Sequence, residues 1–205
     1  RAIDTSNNSG TWVYYKNEAD GGSNGAGTTT ANAASAINVL DINGVVDIGA
    51  HTGIYSIIGN LNKNQNQIIS IEPYFLNYAR LISNLRLNNI SHKYCSLSAM
   101  SNCEGQDTFL IKTDSYYLSQ GGKITEGGNL KVIKRMLDNF KLNKKIGGIK
   151  IDTEGHEFET IQGSLNTIQQ FLPDIIFEIN KVSFNNCLEI LKPYKYKFYL
   201  IDEKN

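Results

Sequence analysis

The chain has 205 residues, 40% of them hydrophobic, and is long enough to bury the core of one globular domain. Its 20 basic and 20 acidic residues give a net charge of zero, so no global field attracts nucleic acid, and we expect none to bind. No apolar run approaches the roughly 18 residues that a membrane-spanning helix needs, so we expect no membrane insertion.

The three cysteines do not indicate a disulfide framework or a zinc site. Cys95, Cys103 and Cys187 are odd in number and form no Cys-x-x-Cys pair, a usage that fits a reducing compartment. The sequence also lacks the pattern of a signal peptide. We therefore expect a cytoplasmic protein. Because the chain begins at Arg1 rather than at methionine, we also expect either a processed product or a domain of a longer protein.

Residues 1–40 differ in composition from the rest of the chain. They are rich in Gly, Ser, Thr and Asn, which is typical of a flexible linker. Three aromatic residues within them, Trp12, Tyr14 and Tyr15, indicate either a strand or a flap over a binding site. We expect residues 41–205 to form the ligand-binding domain.

The stretch Val45–Gly53 predicts the first half of a doubly wound α/β unit. Its apolar, mostly β-branched residues up to Ile48 are typical of a buried strand. Gly49 and Gly53 mark a turn, and helical spacing resumes at Ile54. In such a unit the ligand lies at the carboxyl end of the strand, near the helix N-terminus.

This turn favours a positively charged ligand over a dinucleotide. A dinucleotide site needs Gly-x-Gly-x-x-Gly, whereas this chain has only Gly49 and Gly53, with His51 in the place of the middle glycine. Asp47, two residues before the first glycine, is badly placed for a pyrophosphate but suits an ammonium or sulfonium group. S-adenosylmethionine is such a ligand, and these four residues are its candidate contacts.

Glu72 is the next candidate contact. It follows a predicted second strand over Gln67–Ile71, and Pro73 prevents the strand from continuing. An acid at this position of the fold hydrogen-bonds the ribose hydroxyls, about 20 residues after the glycine turn.

Several further elements are predicted along the chain. They are helices over 74–89 and 158–172, strands over 92–99, 107–111 and 130–133, and the start of a helix at 136–140. Ser98, in the third strand, would lie near the adenine end of the cofactor. The polar, glycine-rich residues 112–129 contain Tyr116 and Tyr117, which favours a lid over the acceptor, with disorder as the alternative.

The densest polar cluster of the chain follows a predicted strand over 149–151. Asp152 lies at the tip of that strand, and Glu154 and His156 follow in the turn. Helix capping would account for one of these acids, but not for two acids and a histidine. Because the fourth strand of this fold borders the first, we expect Asp152 to face Asp47 across the crevice.

Several stretches resemble the FkbM family of S-adenosylmethionine-dependent methyltransferases. Lys150–Glu157 is similar to the family's most specific motif, Lys-Ile-Asp-Val-Glu-Gly-His-Glu, and Met136–Asp138 matches an upstream Leu-Asp pair. His51 stands where the family often has asparagine. The resemblance covers roughly residues 45–178 and is carried by Val45–Ser56, Ser70–Pro73, Ile149–Gly163 and Pro173–Ile179.

The resemblance implies a class I methyltransferase fold, a Rossmann-like, doubly wound and mostly parallel sheet with helices on both faces. It also implies S-adenosylmethionine as cofactor and O-methylation of a hydroxyl on a sugar or a polyketide-type metabolite. We expect a sugar acceptor, such as a deoxyhexose like rhamnose in a glycan or its precursor. The longer protein would then carry a glycosyltransferase fused to this domain.

The expected chemistry is an in-line displacement at the methyl group, for which a sugar hydroxyl needs a general base. His156 titrates near neutrality and is expected to be that base or to orient it. Asp152 would orient the histidine or hold the acceptor hydroxyl, Glu154 would hold a second hydroxyl, and Asp152 would also contact the cofactor. No metal is needed; the alternative is a divalent ion bound by Asp152, Glu154 and Glu178.

Two other functions are weighed against this one. An NAD-dependent sugar-modifying oxidoreductase would need the third glycine and a pair such as Tyr-x-x-x-Lys, and neither is present. A non-catalytic nucleotide-binding module would bind the cofactor yet tolerate loss of Asp152 and His156. Methylation of RNA is disfavoured, because phosphate contacts need a basic face.

Overall fold

The computed structural model describes residues 12–16, 44–60, 67–111, 122–142, 144–178 and 183–201. The strands are β1 (Trp12–Lys16), β2 (Gly44–Ile48), β3 (Gln67–Ile71), β4 (Ala99–Met100), β5 (Gly105–Ile111), β6 (Gly122–Ile124), β7 (Leu130–Arg135), β8 (Gly148–Ile151), β9 (Asp174–Glu178) and β10 (Lys197–Ile201). The helices are α1 (Ile54–Asn60), α2 (Phe75–Leu87), α3 (Glu157–Gln162), α4 (Leu165–Phe171) and α5 (Phe184–Leu191). Short 3₁₀ helices cover Leu137–Asn139 and Lys192–Tyr194.

The main sheet has six strands in the order β10-β1-β9-β8-β2-β3. Strands β9, β8, β2 and β3 run parallel, while β1 runs antiparallel to both of its neighbours. Every residue of β2 is buried, as a strand covered on both faces requires. This arrangement confirms the predicted doubly wound, mostly parallel sheet of a Rossmann-like fold.

Helices cover both faces of this sheet. On one face, Val45 of β2 packs in a cluster with Leu81 and Leu85 of α2. On the other face, the neighbouring Val46 packs in a larger cluster with buried residues of α3, α4 and α5, such as Ile161. Because successive side chains of a strand point to opposite faces, these two valines mark the two halves of the core.

Strand β1 takes an interior place in the sheet, between β9 and β10. Its Val13 is opposite Phe177 of β9 and Leu200 of β10. Of the two interpretations of the aromatic N-terminal stretch, strand or flap, the structure therefore has the strand. These five residues share one sheet with strands of residues 44–201, while the rest of residues 1–40 lies outside the described part of the chain.

A second sheet, ordered β4-β7-β5-β6, contains two strands that sequence analysis predicted. The predictions over 107–111 and 130–133 are confirmed by β5 and β7. The loop predicted over 112–129 does not extend over that whole range, because β6 lies within it and pairs antiparallel with β5. Residues 112–121, with both tyrosines of the predicted lid, lie outside the described residues.

The prediction of a third strand over 92–99 is wrong. Only Ser96 forms a bridge to the main sheet, to Ile71, and Ala99 already belongs to β4 of the second sheet. The hydroxyls of Ser96 and Ser98 bond each other at 2.9 Å. Such local hydrogen bonds of serine compete with regular strand pairing.

The single helix predicted over 158–172 is instead two helices, α3 and α4, and the helix predicted at 136–140 is one 3₁₀ turn. Hydrogen bonds connect the two regions. The helical conformation is interrupted at Gly163. The Asp138 carboxylate accepts the N–H groups of Asn166 (3.0 Å) and Thr167 (2.8 Å), which lie in the first turn of α4 and have no partner within that helix. Asp138, of the Leu-Asp pair, thus acts as a remote helix cap.

None of the helices in the described residues is both long and apolar enough to cross a membrane.

The Gly163→Ala substitution tests the junction between α3 and the second sheet. A Cβ at this position would overlap the backbone carbonyl of Ser101, which cannot move as a side-chain end can. We expect a loss of about 3 kcal/mol or more in the free energy of unfolding, measured by urea denaturation. The adjacent Ser164→Ala substitution removes one hydrogen bond, to the Thr160 carbonyl, and should cost only about 1 kcal/mol. Equal losses in the two variants would contradict this packing.

Candidate active site

A cavity of about 390 Å³ opens at the carboxyl edge of the main sheet. The register of β2 pairs Ile48 with Ile71 of β3 and with Ile151 of β8, so the residues that follow these three strands meet there. Seven of the nine predicted site residues line this cavity: Gly49, His51, Glu72, Ser98, Asp152, Glu154 and His156. Asp47 and Gly53 lie behind its wall.

The two glycines of the turn are required by packing inside the protein. Gly49 has φ +70°, and a Cβ there would overlap the carbonyl oxygen of Asp152 at the tip of β8. Gly53 has φ +89°, and its Cβ would overlap the side chain of Leu81. In the structure both glycines thus allow close approach of neighbouring elements of the protein.

The backbone N–H groups of this turn are largely used within the protein. Those of Gly49 and Ala50 donate to the Ile71 carbonyl (2.9 and 3.0 Å), that of Gly53 donates to Ala50 (2.7 Å), and that of His51 donates to the Glu72 carboxylate (2.9 Å). A pyrophosphate site presents such groups to the ligand. These four N–H groups are therefore not available to a pyrophosphate.

Glu72 connects the glycine turn to the start of α2. Its Oε2 accepts the N–H of His51, and its Oε1 accepts the N–H of Tyr74 at 2.9 Å. Burial raises the pKa of Glu72 above its usual value, while the two N–H groups favour the carboxylate. Oε1 also accepts from the Asn77 amide at 3.5 Å, so the further acceptor position that a ligand hydroxyl can use lies on Oε2.

Lys150 is the central polar residue of the site, although sequence analysis assigned it no role. Its buried Nζ lies 3.3 Å from Asp47 Oδ1 and 3.4 Å from Asp152 Oδ2, and it donates to the Gly49 carbonyl at 2.8 Å. It also lies 4.9 Å from the centre of the Tyr55 ring. Burial disfavours the ammonium, but the two carboxylates outweigh it and raise the pKa of Lys150.

Asp47 and Asp152 are therefore joined through Lys150. Asp47 is fully buried, and its Oδ2 accepts a 2.6 Å hydrogen bond from Ser56. Asp152 lines the cavity, with 27% of its side chain exposed. Sequence analysis expected the two acids to face each other across the crevice; the structure has the lysine between them, with only Asp152 at the cavity.

The turn after β8 is fixed by Glu157. Its Oε1 accepts the N–H groups of Thr153 (3.2 Å) and Gly155 (3.0 Å) and the hydroxyl of Thr153 (3.0 Å). Between them, Glu154 has φ +55°, a conformation uncommon for a residue with a side chain. Such conformations concentrate at functional sites, and this one places Glu154 on the cavity wall.

His156 lines the cavity but has partners at both ring nitrogens. Nε2 lies 3.0 Å from the Ser101 hydroxyl, and Nδ1 lies 3.5 Å from a Glu159 carboxylate oxygen. Burial lowers the pKa of His156, although nearby Glu159 and Glu157 oppose this effect. The imidazole is therefore neutral at pH 7. For Nε2 to take a proton from a substrate hydroxyl, the imidazole has to give up its hydrogen bond with the Ser101 hydroxyl.

Glu178, at the end of β9, is a second titratable group near this edge. The register places it next to Asp152, since Ile151 pairs with Phe177. Burial, together with the charges of Asp152, Glu154 and Glu157, raises the pKa of Glu178 to about 7. A carboxyl group with this pKa can exchange a proton near neutrality. Within the described residues, however, no three acid, histidine or cysteine side chains are grouped as metal ligands.

The far end of the cavity is apolar. Tyr74 packs there with Phe109 of β5 in a small core under the second sheet, and Ile124 of β6 also lines the wall. Ile54, at the start of α1, also lines the cavity and is 55% exposed. The cavity thus has an acidic end beside β8 and an apolar end beside the second sheet.

Two kinds of site residue were missed by sequence analysis. Those from the second sheet, such as Phe109, have no local signal, because only the fold brings them to the cavity. Lys150 did have one: a lysine inside the apolar strand Gly148–Ile151, with Asp152 next to it, has to be paired if the strand is buried.

A doubly wound sheet with an acidic cavity at its carboxyl edge is the architecture of a Rossmann-like methyltransferase. The chain belongs to one family of this class: residues 47–198 match the model of the methyltransferase FkbM domain. This confirms the resemblance drawn from the sequence motifs.

Two solved structures are similar to the chain. Methyltransferase FkbM from Methylobacillus flagellatus KT is 19% identical with a TM-score of 0.46, over 65% of this chain and 32% of that one. Precorrin-6y C5,15-methyltransferase from Geobacter metallireducens GS-15 is 15% identical with a TM-score of 0.46, over 80% and 68% of the two chains. The match thus spans about a third of the first of these proteins. No curated protein matches the sequence.

The raised pKa of Glu178 predicts how pH acts on stability. Between the usual value of 4.5 and the folded value of about 7, the folded state holds more protons than the unfolded one, so this group's contribution falls as pH rises. Glu178→Gln should therefore gain thermal stability relative to the parent on going from pH 5 to pH 8. Glu189→Gln, at a side chain that is 72% exposed, is the control. A pH-independent difference for Glu178→Gln would contradict the assignment.

Proposed function

We propose that this methyltransferase transfers the methyl group of S-adenosylmethionine to a hydroxyl of a sugar. The observation that carries the proposal is the use of the turn's N–H groups. Four of them donate within the protein, while Glu72, Asp152 and Glu154 line the cavity. A site with few anion-binding donors and several carboxylates suits a cationic cofactor and not a dinucleotide.

The residues present fit this cofactor. Glu72 offers an acceptor position for a ribose hydroxyl, and the buried Ser98 hydroxyl lines the cavity toward its apolar end, where Phe109 suits the adenine ring. Asp152 and the backbone near His51 lie at the acidic end, which suits the sulfonium and ammonium groups. When bound, the cofactor supplies an electrophilic methyl group, and the protein's own residues position the acceptor and take its proton.

His156 is the proposed base. As a neutral imidazole on the cavity wall it can accept the hydroxyl proton at Nε2, in place of the hydrogen bond from Ser101. Glu159, 3.5 Å from Nδ1, would then stabilise the imidazolium. Asp152 and Glu154 are proposed to hold acceptor hydroxyls.

The sugar is supported by the chemistry of the wall. Carboxylates such as Asp152 and Glu154 accept hydrogen bonds from adjacent hydroxyls, and Tyr55 and Tyr74 offer aromatic surface nearby. The half-exposed Ile54 at the rim suits an apolar group on the ring, as in a deoxyhexose such as rhamnose. A glycan or an activated precursor would present such a ring, and a glycosyltransferase fused in a longer chain would be a fitting source.

Glu72→Gln tests the cofactor site. The substitution keeps one acceptor oxygen but removes the charge and places an NH₂ group opposite one backbone N–H. We expect the affinity for S-adenosylmethionine, measured by calorimetry, to fall by about 1.5–3 kcal/mol, the scale of a hydrogen bond to a charged group. Circular dichroism checks that the fold persists. Unchanged affinity in a folded variant would remove Glu72 from the site.

His156→Gln tests the base and the acceptor in one assay. Single-turnover transfer to a rhamnose-terminated acceptor, followed by mass spectrometry, should slow by about 10²–10⁴-fold, while cofactor affinity changes little. In the parent protein the rate should fall as pH drops, with a midpoint below 6.5, because burial lowers the pKa of His156 from that value.

The same assay separates the alternatives. A midpoint near 7 that is lost in Glu178→Gln would assign the base to Glu178, whose pKa is about 7. Ser101→Ala keeps the imidazole and should slow transfer less than His156→Gln does. Methylation of non-sugar hydroxyls alone, across a panel of sugars, glycans and lipids, would overturn the sugar acceptor.

A further inference from the structure

We propose that Asp47, Lys150 and Asp152 act as one unit with a net charge of minus one, and that this charge makes the cavity prefer the positively charged cofactor over its neutral product. The inference rests on the proposed function. It concerns the choice between S-adenosylmethionine, whose sulfonium is charged, and S-adenosylhomocysteine, the neutral sulfide that remains after transfer. The structure provides three arguments.

The first argument is the geometry of the unit. Its three charged groups form a row, with Lys150 Nζ 3.3 Å from Asp47 and 3.4 Å from Asp152. The formal sum of two carboxylates and one ammonium is one negative charge. Both Asp47 and the lysine are almost completely buried, at 0% and 2% exposure of their side chains, so bulk water screens this charge weakly.

The second argument is that the unit is coupled to the shape of the cavity. Nζ also donates to the Gly49 carbonyl at 2.8 Å and lies 3.4 Å from the Ile48 carbonyl. It faces the Tyr55 ring from the start of α1. Lys150 therefore joins the ends of β2 and β8 with the first helix, and because it also lines the cavity, its charge has a fixed position at the wall.

The third argument is that each acid has a distinct relation to the ligand. Asp47 does not line the cavity and is held by Ser56 and Lys150, so it can act on a ligand only through its charge. Asp152 lines the wall and acts at close range. Glu72, Glu154 and Glu178 add negative charge around the same edge, but no substitution below changes them. Ratios between variants thus compare changes made within the unit.

The experiment compares two variants that differ in net charge. Asp47→Asn keeps an oxygen for Ser56 or Lys150 but brings the unit to a net charge of zero. The double variant Asp47→Asn/Lys150→Met returns it to one negative charge, carried by Asp152. Lys150→Met alone is not used, because it would leave two carboxylates facing each other without a cation. The Kd values of S-adenosylmethionine and S-adenosylhomocysteine are measured by calorimetry at pH 7.5 in low salt.

In Asp47→Asn the preference for S-adenosylmethionine over S-adenosylhomocysteine should fall on the order of tenfold, the scale for one weakly screened charge near a ligand charge. In the double variant both ligands should bind more weakly, since the Gly49 carbonyl loses its donor, yet the preference should return to within about threefold of the parent. A purely structural lysine would instead lower both affinities without restoring the ratio.

The possible failures are distinguishable. If the parent protein binds neither compound, the proposed function is wrong. If the parent binds both compounds, but Asp47→Asn leaves the ratio of their affinities unchanged or the double variant does not restore that ratio, the proposed role of the unit is wrong. Should Asp47→Asn not fold, Asp152→Asn makes the same change in charge at a side chain that is 27% exposed, and the same tenfold fall is expected; an unchanged ratio there overturns the proposal.

Discussion

The pairing of one buried ammonium with two carboxylates is the interaction on which this site depends. Lys150 lies in a strand in which every residue is buried. An unpaired charge there would cost several kcal/mol. Asp47, in the adjacent strand, makes the lysine tolerable there, and the lysine in turn brings Asp152 and the Gly49 carbonyl to one point. The glycine turn and the acidic motif are about 100 residues apart in the chain, and the contacts of Lys150 join them in one site.

Glu72 has a comparable double role on the other side of β2. It holds the turn through the His51 N–H and the start of α2 through the Tyr74 N–H. This position also places the Glu72 carboxylate on the cavity wall. Residues of this kind support the shape of the cavity as well as its chemistry, so a substitution at Glu72 or Lys150 has to be judged by more than loss of activity.

Much of the fold could be predicted from the sequence, because β2, β3 and β8 are short apolar runs that end at glycine or acid. What could not be predicted depends on distant contacts. Gly163, between α3 and α4, packs on the Ser101 carbonyl, and Asp138 caps a helix that begins almost 30 residues later. The same distinction holds for the candidate site. Sequence analysis named residues at the ends of strands, whereas Phe109 lines the cavity from the second sheet and has no signature in the sequence.

The interior position of β1 has a consequence for how the sheet is completed. Its Val13 pairs with Phe177 and Leu200, contacts that span nearly the whole chain, so the loop that must close to form them is among the longest the molecule contains. Closure of long loops is entropically costly, and proteins with many such contacts fold slowly. Before β1 pairs with β9 and β10, the edges of these two strands that β1 covers in the sheet have no partner. An extended segment of another chain could pair with such an edge before β1 does.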